Sequence, residues 1–341
     1  MIIARALRDG VGRVHAAPSV VFGVYLLTLL LALPFASAVR SAIGDDLGHS
    51  LTAARVADGV DYEWWQAFEQ RASGLATTFT PSIIGFAAPL GNLSDLADRV
   101  ALPVAVAGAV GAYLAIWAFL AGGVLDRYAR QRPTRPSGFF SACGVFFFRF
   151  LRLGLLALVA YALLFGVVHG WLFDGLYERV TRNVTVERSA FFVRLGLYAV
   201  FGLLVAAVNL VFDYAKVRAV VEDRRSMIGA LRAGARFVWR HRVDTIGLYV
   251  AVGALFALVL AAYAAVAPGV WGPGWSTARG LAIAQLYVLA RLWVKLVFYA
   301  SETSLFQQRL AHAGYTAAPT PTWPESAAAE AIGNASPGRR V

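Results

Sequence analysis

The chain contains a single cysteine, Cys143, so no internal disulfide can form and a cysteine-rich metal site is excluded. Lysine is confined to Lys216 and Lys295. The five histidines are His15, His49, His169, His241 and His312, and no two lie three or four residues apart. That spacing removes a helical zinc pair and an HExxH site. Neither lysine follows a glycine-rich loop, and neither a GxSxG elbow nor a GxGxxG turn after a strand is present. With no metal set, phosphate-binding loop or nucleophile–base pair, the sequence predicts no catalysis and no cofactor. Cys143 has no histidine near it in sequence and reads as a small apolar residue. Charge is also scarce: Asp, Glu, Lys and Arg make up 15% of the chain, against about 25% in a soluble domain.

Apolar residues take the place of charge. They reach 59% of the 341 residues, with a mean hydropathy of +0.61. They are gathered into runs long enough to cross a bilayer, which takes ~20 residues in a helix. The runs are continuous, whereas strands of a membrane barrel alternate apolar and polar positions. The expected fold class is therefore all-α: a polytopic transmembrane helical bundle with amphipathic interfacial helices. Six spans are predicted, at about 18–39, 101–124, 151–173, 190–214, 245–267 and 279–303. They form one membrane domain, 1–311, with an outer loop at 40–100. The tail, 312–341, is rich in Pro, Ala and Ser and is predicted to be disordered. The first span follows Arg5, Arg8 and Arg13, and Ala36-Ser37-Ala38 resembles a signal-peptidase site. Its apolar run is longer than a signal core, so retention as the first helix is expected.

Arginine placement sets the orientation. Arg5, Arg8 and Arg13, the 125–152 segment, the 215–242 segment and Arg309, Arg339 and Arg340 share one side. The 40–100 loop on the other side carries Asp45, Asp46, Asp58, Asp61, Glu63, Glu69, Asp95 and Asp98. The positive-inside rule then puts both termini in the cytoplasm of a multi-pass inner-membrane protein. A net charge of +11 in a soluble chain would suggest nucleic acid. Here it implies anionic membrane lipids as partners, and no nucleic acid. Within the outer loop, 61–74 reads as an amphipathic helix with Trp64 and Phe68 on one face. The next stretch, 77–93, is apolar but broken by Pro81, Gly85, Pro89 and Gly91, and reads as an interfacial or re-entrant segment or an ordinary loop.

The two inner loops resemble each other. Each begins at a span end bearing Asp and Tyr (Asp126 and Tyr128, then Asp213 and Tyr214), continues basic, and ends in an amphipathic aromatic–arginine segment. The pattern AVVEDRRSMIGALRAGARFVWRH at 219–241 resembles that of a bacterial six-helix membrane domain that occurs alone or fused to glycerophosphodiester phosphodiesterases. Most stand-alone members of that group are uncharacterised. The similarity covers roughly 213–250. It implies an architecture, and no reaction, because the phosphodiesterase part and its metal-binding His and Glu set are lacking.

The sharpest anomaly is ARLWVKLVFYASE at 290–302, which puts Arg291, Lys295 and Glu302 inside the last span. At 100° per residue the three fall within about 40° of one another. An ion at the bilayer centre costs at least ~2.5–3.5 kcal/mol, so this face should look into the bundle or a wet cavity. Asn209 and Asp213 on the fourth span and Asp126 on the second offer partners. The sequence thus predicts a polar cluster of Arg291, Lys295, Asn209, Asp213 and Asp126. It acts either as a helix lock or as a site for an anionic lipid or small anionic ligand. Two other functions compatible with the pattern are a transporter and a membrane subunit that docks a soluble partner.

Overall fold

The structure is a computed structural model. It describes residues 2–48, 50–59, 61–80, 91, 94–95, 97–99, 104–131, 133–267 and 275–310. The tail and most of 77–93 lie outside the described residues.

The bundle is all-helical among the described residues. Helix α1 (Ile2–His15) is amphipathic and leads into α2 (Pro18–Leu47); two short helices follow, α3 (Thr52–Asp58) and α4 (Tyr62–Arg71). The bundle continues with α5 (Val104–Arg130) and α6 (Pro136–Leu163). Helix α6 carries on through π-helical stretches at Leu164–Val168 and Trp171–Leu176 and a last helical turn, Tyr177–Thr181. Next come α7 (Glu187–Val221), α8 (Met227–Arg240), α9 (Arg242–Val266) and α10 (Trp275–Arg309). Six of these, α2, α5, α6, α7, α9 and α10, are long and apolar enough to cross a membrane, making this a multi-pass membrane protein. Several overshoot the bilayer. The 35 residues of α10 extend about 50 Å at ~1.5 Å per residue, against a hydrocarbon core of ~30 Å.

The main core occupies one end of the bundle, the end that carries the arginine-rich segments. Its buried residues come from α1, the first turns of α2, the C-terminal halves of α5, α7 and α10, the N-terminal parts of α6 and α9, and one face of α8. Tyr128, Tyr214, Leu248, Leu296 and Phe306 lie fully inside it. Close backbone approach makes this packing possible. A Cβ on Gly10 of α1 would lie 2.7 Å from the Ser301 nitrogen of α10, and one on Gly123 of α5 would lie 2.5 Å from Cys143 Sγ of α6. Toward the opposite end the same helices expose Leu26, Leu30 and Leu33, Leu258, and Leu281 and Leu286. That surface is suited to lipid.

The outer loop forms its own small cluster. Asp61 caps α4 by accepting from the Trp64 amide. Trp64 and Phe68 are buried together, as their spacing predicts, and pack with Phe79 against the end of α2. Trp64 Nε1 donates to Asp46 at 2.9 Å, and Arg71 pairs with the same carboxylate.

One boundary departs from the sequence reading. The amphipathic segment before the third span is continuous with it, so α6 begins at Pro136 rather than near 151. In the second inner segment the chain instead breaks at His241, between α8 and α9. The two inner segments therefore follow different paths, and their sequence likeness does not extend to helix boundaries. Asp223, at φ 46°, turns α7 into α8, which folds back along it: Phe237 meets Tyr214, and Gly234 meets Ala215.

Candidate functional site

Helix α10 carries Arg291, Lys295 and Glu302 on one stripe, yet they meet three environments. Arg291 is exposed, Lys295 is half-buried and Glu302 is 1% exposed. The register of α10 against α2 sets their level. Tyr25 donates a hydrogen bond to Gln285 Oε1 at 2.9 Å, and His15, just before α2, stacks on Trp293 with centroids 5.9 Å apart. The two helices run antiparallel, so Arg291 is level with the first turn of α2. It sits closer to the end of the first span than its central place in α10 suggests.

Among the described residues, Lys295 has no carboxylate against it. Its ammonium lies 3.4 Å from the Trp117 ring centroid and 5.6 Å from that of Tyr113, both on α5. A desolvated cation over an indole face is stabilised by the ring quadrupole. Beside it, α5, α9 and α10 enclose a groove of about 390 Å³ lined by Arg291, Lys295, Tyr113, Tyr249, Phe256 and Phe298, among other apolar residues. The volume falls within the ~300–1,000 Å³ of small-molecule sites. Among the described residues, the lining holds two cations and no acid.

The partners that the sequence offered are distributed differently. Asp213 pairs with Lys216, one turn further along α7, at 2.7 Å. Its charge and that of Lys216 still act on Lys295, so this part of the expected cluster assembles. Asn209 does not join it; its side-chain oxygen accepts from Tyr161 of α6. Asp126 does not join it either, being paired with Arg130 at 2.9 Å. Both are corrections to the predicted cluster. Their cause is local: a cation four residues on, or a tyrosine on the adjoining helix, is nearer than the stripe on α10.

Glu302 lies outside the groove. Among the described residues, neither of its carboxylate oxygens has a hydrogen-bond partner, nor do the neighbouring Ser301 and Tyr214 hydroxyls. The charges of Asp213 and Lys216 act on it. Sequence reasoning missed Lys216, Trp117 and Tyr113 as parts of this region. Lys216 was readable as an i, i+3 partner of Asp213. The aromatic pair was not, since nothing local to α5 marks Trp117 as a cation's seat. Among the described residues no group of three or more His, Cys, Asp or Glu is placed to hold a metal ion.

No family model, no curated protein and no solved structure matches this chain.

Proposed function

We propose that this chain is a bacterial inner-membrane protein, with both termini in the cytoplasm, that binds or organises an anionic lipid or a small anionic ligand at Arg291 and Lys295 and catalyses no reaction. The observation that carries this reading is the groove: two cations, four aromatic side chains and, among the described residues, no acid in its lining. Arg291 is exposed there and, among the described residues, has no hydrogen bond or ion pair. A guanidinium offers a bidentate fork to phosphate or carboxylate, and Lys295 adds a point charge. The level of Arg291, opposite the start of α2, suits a headgroup with acyl chains alongside the apolar wall. The arginine-rich end faces the cytoplasm on the positive-inside rule. The likeness of 213–250 to the six-helix domain associated with phosphodiesterases supports a bacterial setting and an architecture, and supplies no chemistry. Retention of the first span belongs to the same reading, because α1 and the start of α2 contribute Ala6, Val14, Val20, Val21 and Val24 to the main core. The intact mass of the mature protein checks that point.

The test is native mass spectrometry of protein released from mild detergent, wild type beside Arg291→Leu. The expected result is a defined anionic species on the wild type that is lost from a variant with unchanged thermal stability. A wild type that retains nothing, or a variant that binds equally, overturns the reading.

A second reading, transport, is favoured by Glu302. Intramembrane ionisable residues mark ion and proton pathways, and this carboxyl is buried without a hydrogen bond among the described residues. Proton flux into proteoliposomes under an imposed pH gradient, abolished by Glu302→Gln, would support it. Absence of flux in the wild type removes it.

A further inference from the structure

A second cationic site lies at the arginine-rich end, on the hairpin of α7 and α8. Arg218 sits near the end of α7, and Arg224 lies in the turn that reverses the chain. Arg232, Arg236 and Arg240 follow at four-residue intervals along α8, which puts them on one stripe. The hairpin and the end of α10 enclose a cavity of about 440 Å³, lined by these five arginines with His241 and the Phe237 ring.

Part of this cavity is rigidly built. Arg218 donates through Nε to Glu222 at 2.9 Å and through Nη1 to the Ala233 carbonyl at 2.7 Å. Its guanidinium also lies over the Phe306 ring, 5.6 Å from the centroid. Arg224 donates to the same Glu222 oxygen at 2.5 Å. One carboxylate thus serves two arginines. Among the described residues, Arg232, Arg236 and Arg240 have no hydrogen bond or ion pair, and all three are exposed. Five guanidinium groups against one carboxylate repel one another, and an anion seated among them relieves that repulsion. The planar donor fork of arginine matches phosphoryl oxygens in pairs. The same helix exposes Ile228 and Trp239, which fall beside Arg232 on a helical wheel, next to the arginine stripe. An apolar strip beside a stripe of arginines is the pattern of a helix lying at a membrane surface, within reach of headgroups.

We propose that this cavity binds a phosphorylated ligand, whose phosphoryl oxygens are taken by Arg232, Arg236 and Arg240 together with Arg218 and Arg224. The phosphate comes either from a lipid headgroup or from a free phosphorylated metabolite; the recognising chemistry is the same. The site does not depend on the groove at Arg291.

The test uses the full chain in phosphatidylcholine nanodiscs with two probes: inorganic pyrophosphate titrated by calorimetry, and phosphatidic acid doped into the discs and quantified on the extracted protein. Arg232→Gln with Arg236→Gln should weaken the probe that binds by roughly tenfold or more, because charge-assisted paired hydrogen bonds are lost. The charge-matched pair Arg225→Gln with Arg242→Gln should change it by less than about twofold, since exposed charges outside the cavity are screened by salt. All four side chains are exposed, so both pairs should fold. Both pairs are made on an Arg291→Leu background, which removes any anionic lipid held in the groove from the comparison and keeps the two results distinct. Pyrophosphate binding supports a free metabolite, and phosphatidic acid binding alone supports a headgroup. Binding of neither probe, or equal loss in the two charge-matched pairs, overturns the proposal.

Discussion

Lys295 is seated on a ring rather than beside an acid. The Trp117 side chain beneath it is 6% exposed, so it supplies both a packed apolar surface and a face for the ammonium. Trp117→Ala should cost roughly 3–5 kcal/mol, the usual penalty for emptying a buried aromatic site. Lys295→Met should cost under about 1.5 kcal/mol, because it keeps the volume and removes the need to shelter a charge. Thermal unfolding in detergent separates the two, and the order Trp117→Ala below Lys295→Met is the expected one. Two groups at the arginine-rich end set a pH dependence. Burial pushes the Glu222 carboxyl up, but the hydrogen bonds from Arg218 and Arg224 outweigh it and hold the group below its ordinary value. Burial, then the charges of Arg309 and Arg240, hold His241 below its ordinary value as well. In both cases the unfolded chain takes up the proton first as pH falls, so both contributions are lost on acidification. His241 acts first, below about pH 6.5, and Glu222 later, below about pH 4.5. The melting temperature should therefore decline gently from pH 7 to pH 5.5, and His241→Gln should flatten that decline. The stripe of Arg291, Lys295 and Glu302 was legible from helical geometry alone. Its partners were not, because a side chain's nearest neighbour is set by which helices touch.

At the level of elements, α1 behaves as an inserted wedge. It lies against α10, and Arg13 reaches across to donate to the Tyr128 carbonyl at 3.0 Å and to Gln307 at 2.8 Å. Asp9 accepts from Ser304 at 2.6 Å and pairs with Arg13. The close approach at Gly10 leaves no room for a side chain, so Gly10→Val should lower stability by about 1–3 kcal/mol through overpacking. Gly12→Ala, on the same helix with open space around it, is the control and should be neutral or stabilising. A smaller melting shift for Gly10→Val than for Gly12→Ala would refute this packing. The amphipathic character of α4 and α8 was legible in sequence, since Trp64 and Phe68, or Ala230 and Phe237, recur at helical spacing. The continuity of α6 was not. Its first half is amphipathic and its second half apolar, and such a change of pattern does not itself break a helix. The break at His241 has no proline or glycine to mark it; residues 240–242 are all basic, and the chain bends there as α8 leaves α7.

On the scale of the whole molecule, stability is concentrated at one end. Leu296 and Leu286 lie on the same helix, yet Leu296 is 0% exposed and Leu286 64% exposed. Leu296→Ala should cost about 2–5 kcal/mol as a core cavity, and Leu286→Ala within about 0.5 kcal/mol as a lipid-facing change. Denaturation of the two variants in the same detergent checks this; equal losses would place the core along the full length of the bundle instead. The asymmetry also bears on function. The groove at Arg291 begins where close packing ends, and the arginine cavity of α8 lies at the packed end, so both candidate sites border regions held rigid by the core.

The sequence by itself determined that the chain is helical, that it has six apolar runs of membrane length, and that its arginines gather on one side. Each of these is a property of residues close together in the chain: helical period, run length and local charge. The tertiary structure alone decided which charges meet. It set Lys295 on Trp117, left Glu302 without a hydrogen bond among the described residues and brought the end of α10 against five arginines of one hairpin. Those outcomes depend on the register and crossing of helices far apart in sequence. In this molecule both are set by glycine approaches, such as that of Gly10 to Ser301, whose partner cannot be read from either strip of sequence alone.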